Sequence, residues 1–79
     1  MLLHVGAGKR AGVRPGDLVG AIAGEAQVDS SELGAITIGD SHSLVEVPES
    51  LAERIVSALR ATKIRGFRVA VRLERPGRE

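Results

Sequence analysis

Apolar residues recur along this chain in two rhythms, every second position and every third or fourth, and the two rhythms separate strands from helices. Met1 to Val5 is apolar and branched enough for a strand, and it ends at Gly6-Ala7-Gly8-Lys9-Arg10-Ala11-Gly12, a glycine-spaced basic loop. Pro15 suits the first position of a helix, where its missing N–H would have no partner anyway. Leu18, Val19 and Ile22 then fall on one helical face, which predicts a helix running to about Gly24. Gly20 and Gly24 each cost an isolated helix about 1 kcal/mol relative to Ala, so their presence points to close packing of that helix against its neighbours. Asp29-Ser30-Ser31-Glu32-Leu33-Gly34 has the acceptor-rich start and glycine stop of a single helical turn.

Alternation returns at Ala35-Ile36-Thr37-Ile38 and again from His42 to Val47, with Gly39-Asp40-Ser41 as the turn of a hairpin. Ser50-Leu51-Ala52-Glu53 has the capping-box pattern, in which hydroxyl and carboxylate satisfy each other's backbone donors. A second helix follows with Leu51, Ile55, Val56 and Leu59 on one face. Thr62 to Gly66 is a connection, and Phe67 to Leu73 is the last strand, apolar on one side and Arg68, Ala70, Arg72 on the other. The order βαββαβ predicts an α+β, ferredoxin-like fold: a four-stranded antiparallel sheet in the spatial order 4-1-3-2 with two helices on one face.

Composition narrows the field. A chain of 79 residues makes one domain and buries only roughly 60% of its unfolded surface, so the core has to be continuous. At 43% apolar residues the chain has enough to cover one sheet face, and too much to be disordered. Without cysteine there is no disulfide, thiolate metal site or cysteine nucleophile, which fits a reducing compartment and makes the cytoplasm the default. The apolar runs are too short for a membrane span, and no signal-peptide pattern opens the chain. Its ragged Arg75-Pro76-Gly77-Arg78-Glu79 end reads as the limit of a module cut from something longer.

Charge changes the picture more. From Pro15 to Glu53 the chain carries Asp17, Glu25, Asp29, Glu32, Asp40, Glu46, Glu49 and Glu53 without one Lys or Arg, so a net charge of +1 hides a polar molecule. Lys9, Arg10 and Arg14 precede this interval, and Lys63, Arg65, Arg68, Arg72, Arg75 and Arg78 cluster near the end. In the order 4-1-3-2 the first and last strands are neighbours, which brings the two basic ends together.

Each candidate site has a plain alternative. The Gly6 to Gly12 loop could turn amides toward an anion, but it reads GxGxxxG and lacks both a dinucleotide fingerprint and the GK[ST] of a Walker loop. A turn or an RNA phosphate contact remains, with Lys9 and Arg10 either touching phosphate or solvated. Strand parity turns Leu2, His4, His42, Leu44, Glu46, Arg68, Ala70 and Arg72 away from the helices. Leu2 and Leu44 together on an open sheet favour a contact surface for a base, a partner or a neighbouring domain. His4 and His42 are adjacent across strands but lack a third ligand type, so base stacking or hydrogen bonding to RNA is preferred over a metal. Asp40, Ser41 and His42 are not oriented as a triad by a hairpin, so no catalysis and no cofactor is assigned. Phe67, the single aromatic residue, shares parity with Val69 and Val71 and reads as core.

The run His4-Val5-Gly6, then Lys9-Arg10-Ala11-Gly12-Val13-Arg14-Pro15-Gly16-Asp17-Leu18-Val19-Gly20-Ala21-Ile22, then Leu33-Gly34-Ala35-Ile36 and Ser43-Leu44-Val45-Glu46-Val47-Pro48, resembles the RNA-binding domain appended to bacterial DEAD-box RNA helicases of the DbpA and CsdA type. The similarity covers almost the whole chain. It implies an RNA recognition motif (RRM) fold and a role in tethering a helicase core to structured, often ribosomal, RNA; residues 1–74 are expected to form that domain and 75–79 a disordered basic tail. ATPase and unwinding activity would belong to helicase domains outside this chain. The positions where RNA recognition motifs stack bases on aromatics correspond here to Leu2, His42 and Leu44, so RNA would be held by phosphate contacts and base edges. The candidate RNA-binding residues are Lys9, Arg10, Arg14, Lys63, Arg65, Arg68, Arg72, His4, His42 and Leu44. Weak sequence discrimination follows, and about four phosphate contacts would give a slope of log K against log salt of about −3. The second reading is a protein-interaction or weak self-association module using the open sheet face. An acylphosphatase-type enzyme on this fold would need an Asn, and the sequence has none.

Overall fold

The computed structural model describes residues 1–64 and 67–74, with the side chains of residues 63, 64 and 67 outside that description. Four strands, β1 (Leu2–Val5), β2 (Ile36–Ile38), β3 (Ser43–Glu46) and β6 (Val71–Glu74), form one antiparallel sheet. Their order β2-β3-β1-β6 is the predicted 4-1-3-2 arrangement, with β6 as the fourth strand. Helices α1 (Pro15–Ala26) and α2 (Glu49–Arg60) pack on each other and on one face of the sheet.

The period-two pattern decides which face is covered. Leu3 and Val5 of β1, Val45 of β3 and Val71 of β6 point inward and are buried with Leu18, Ile22 and Ala26 of α1 and Ala52, Ile55, Val56 and Leu59 of α2. Ser43 shares this inward parity and is fully buried, and its hydroxyl donates to the Ala7 carbonyl at 2.7 Å. That bond satisfies a polar group that would otherwise be expensive to bury, and it ties the loop after β1 to β3. At the other end of the core, the Arg54 guanidinium of α2 donates to the carbonyls of Ala26 and Gln27 at 2.9 and 3.3 Å. These are orphan carbonyls at the end of α1, so the contact caps one helix with the other.

Four sequence expectations are corrected. The last strand is broken: β5 (Phe67–Arg68) leaves the sheet to pair with β4 (Lys63–Ile64) as a separate ribbon, and only β6 joins β1. Part of the Thr62 to Gly66 connection is therefore strand. No capping box forms at Ser50, because Pro48 with φ −66° and ψ 143° takes the N-cap position and the helix is already under way at Glu49. Half of a capping box appears on α1 instead, where the Asp17 carboxylate accepts from the Arg14 N–H at 2.9 Å. Finally, Gly20 and Gly24 are exposed, and a methyl group added at either would meet nothing within 4 Å, so close packing does not explain them. The single turn predicted at Asp29 is present, and the Ser31 N–H donating to the Asp29 carboxylate holds its pKa below the ordinary value.

Candidate nucleic-acid interface

The sheet face opposite the helices is open. Register places Leu44 and Arg72 on either side of His4, and Leu2 between Glu46 and Glu74. A shallow cavity of about 570 Å³ lies toward the end of β1, lined by His4, His42, Arg72, Gly6 and Ala70 with the backbone of β1 and β6 behind them. A second, of about 310 Å³, is lined by Arg10, Arg68, Asp40 and Ser41 among others, and again by Gly6. Gly6 is thus the saddle between them, held there by its N–H donating to the Ala70 carbonyl at 2.8 Å. Adjoining at Gly6, the two cavities are together called the trough.

The loop that carries Lys9 and Arg10 is fixed rather than a plain flexible turn. It folds as a short 3-10 turn over Lys9–Ala11. The Lys9 and Arg10 amides donate to the carbonyls of Gly39 and Asp40 at 2.8 and 2.9 Å, and those of Ala11 and Val13 return to Gly8. These amides are spent on carbonyls, so they cannot form an anion-binding nest, and attraction for an anion has to come from side chains. Gly8 permits the approach: a Cβ there would lie 2.2 Å from the Gly39 carbonyl oxygen and 2.9 Å from the His42 nitrogen.

The sequence-predicted residues divide into groups. His4, His42 and Arg72 share the first cavity, and Arg10 and Arg68 the second. Lys63 stands opposite Arg68 in the β4–β5 ribbon, and the two basic ends meet where Arg10 and Arg68 line one cavity. Lys9 is exposed beside Arg10, Arg14 is exposed at the start of α1, and Leu44 is half-buried next to His4, none of them lining either cavity. Arg65 and the tail at 75–79 lie outside the described residues. Among the described residues, Arg10, Arg68 and Arg72 form no ion pair, which leaves their charge available.

Two participants escape a reading of the sequence alone. Glu74 bonds His4, Oε1 to Nε2 at 2.6 Å; it shares the parity of Arg72 and would have been found by extending the last strand one residue. Asp40 puts a carboxylate beside Arg10 and Arg68 in the second cavity; its position depends on the turn docking against a loop distant in sequence. Three exposed guanidiniums and two imidazoles around a shallow trough suit a phosphate-bearing chain better than a small enclosed ligand.

Comparison with known sequences agrees with that chemistry. Residues 2–73 match the family described as the DbpA RNA binding domain. The ATP-dependent RNA helicase DeaD of Mycobacterium tuberculosis is 42% identical over 73 residues, a match covering 92% of this chain and 13% of that protein. The ATP-dependent RNA helicase DbpA of Escherichia coli is 35% identical over 71 residues, covering 90% of this chain and 16% of its own length. DeaD of Buchnera aphidicola from Schizaphis graminum is 34% identical over 74 residues, covering 94% and 12%. The chain therefore spans a small fraction of the relatives it matches.

Proposed function

Because the chain belongs to the DbpA RNA-binding domain family, an accessory domain of RNA helicases and not itself their catalytic core, we propose that it holds structured RNA in the trough and tethers a helicase core to it. The observation that carries this reading is that the Arg10–Arg68 cavity and the His4–His42–Arg72 cavity adjoin, both lined by Gly6. Phosphates would be gripped by Arg10, Arg68 and Arg72, with Lys9, Lys63, Arg65 and Arg14 adding longer-range attraction. Base edges would be met by His4 and His42, and Leu44 beside them would give a base an apolar floor. No tyrosine or tryptophan is available for stacking, so shape and charge are the main sources of selectivity.

We further propose ribosomal RNA as the structured partner. Titration with folded ribosomal RNA fragments and with unrelated hairpins, at several salt concentrations, tests both parts. Preference for a ribosomal fragment supports the full reading, and equal binding to all RNAs would keep the trough but remove the ribosomal assignment. Absence of binding even at low salt would sink the proposal.

A further inference from the structure

Both histidines of the chain line the same cavity, beside Arg72. His4 lies mid-sheet, and the charged or titratable groups facing it are His42 and Glu46 from the β3 side and Arg72 and Glu74 from β6. His42 follows Asp40 in the β2–β3 turn and has no carboxylate partner among the described residues. His4 does have one, the Glu74 carboxylate at 2.6 Å from its Nε2. An ionised carboxylate can only accept, so Nε2 carries a hydrogen in either charge state, and the proton that comes and goes is the one on Nδ1. A neutral ring keeps a lone pair at Nδ1 that repels phosphate, whereas the imidazolium has a donor there. With 23% of its side chain exposed, His4 is open to protons from solvent yet shielded enough to feel a nearby phosphate.

We propose that RNA binding in the trough is coupled to proton uptake by His4 and His42, so that the domain holds RNA more tightly as the pH falls. The inference rests on the RNA-binding reading of the trough. Phosphate oxygens favour the charged ring, so each imidazole pKa is higher in the complex than in the free protein. Affinity is then greatest below the free-state pKa, falls as pH rises through the window up to the complex-state pKa, and is flat above it. Imidazoles as a class change charge between about pH 5 and about pH 8, which puts the window there.

The test is fluorescence anisotropy with a labelled RNA hairpin bearing a single-stranded loop, at fixed ionic strength. Affinity is expected to weaken about fivefold or more from about pH 6 to about pH 8, within the limit of about tenfold per pH unit for each linked proton. The imidazole Hε1 resonances of His4 and His42, followed by NMR, should titrate at higher pH with RNA than without. His4→Gln with His42→Gln should lose the pH dependence of binding, whatever its absolute affinity. A flat pH profile with imidazole titrations unmoved by RNA overturns the coupling and leaves the RNA site standing. Absence of binding at any pH overturns the RNA site, and the coupling with it.

Discussion

The open sheet face has two ends of opposite character. Toward the end of β1, His4, His42 and Arg72 surround one cavity that passes over Gly6 to Arg10 and Arg68. Toward its start, Leu2 lies between the exposed carboxylates of Glu46 and Glu74 around a smaller cavity of about 220 Å³. Alternation along the strands places side chains at both ends, and at the basic end the docked loops add Arg10 and Asp40. A polyanion is drawn to one end and turned away from the other, and the repulsion restricts its docking as much as the attraction does. The His4–Glu74 contact is where the two ends meet.

The substitution that should break the contrast most completely is Gly8→Ala. Its Cβ would collide with backbone at Gly39 and His42, so the loop and the β2–β3 turn must separate and the Lys9 and Arg10 amides lose their carbonyl partners. A loss of about 2–3 kcal/mol in urea unfolding is expected, with RNA affinity down about a hundredfold because Lys9, Arg10 and His42 are displaced together. Wild-type stability and affinity would show that the loop does not build the basic end. Next in size is the pair Arg10→Ala with Arg68→Ala, which should cost about tenfold or more in RNA affinity at low salt. The slope of log K against log salt should become shallower by about 0.7 for each phosphate no longer neutralised, with circular dichroism unchanged. An unaltered slope would mean that these guanidiniums do not meet phosphate.

The acidic end should respond in the opposite direction. Glu46→Gln with Glu74→Gln is expected to tighten RNA binding about two- to threefold at low salt, an effect fading above about 0.1 M, where the screening length is about 10 Å. Tightening that persists at high salt would point to a direct contact rather than field repulsion. Unchanged affinity would remove the acidic end from the account of docking.

Parity was legible in the sequence because a two-residue period can be read directly: Leu3, Val5 and Val45 face inward, and His4, Leu44 and Arg72 outward, as alternation predicts. Strand order was legible from the two βαβ halves, and with it the approach of the basic ends. The break between β5 and β6 was not, since alternation from Phe67 to Leu73 is uninterrupted and only the choice of pairing partner, β4 or β1, separates them. Nor could the Gly6 to Gly12 loop reveal that its amides are committed to a turn some thirty residues away. Ser50 failed as a cap for a local reason, because Pro48 already supplies the extended N-cap geometry two residues earlier.

Gly20 tests whether binding is confined to the open face at all. It lies on the outer side of α1, across the sheet from the trough, exposed and with room for a methyl group. If nothing approaches that surface, Gly20→Ala removes only the entropic cost of glycine in a helix, and stability should rise by about 1 kcal/mol. The urea midpoint should increase at constant slope, because the exposed surface on unfolding hardly changes. RNA affinity should stay within about twofold of wild type, since no charge is altered and the trough residues lie on the other side of the sheet. A more stable variant with weakened RNA binding would mean that RNA also approaches the backbone of α1, where a methyl group is an obstruction. The contrast between the two ends of the sheet would then describe only part of the interface.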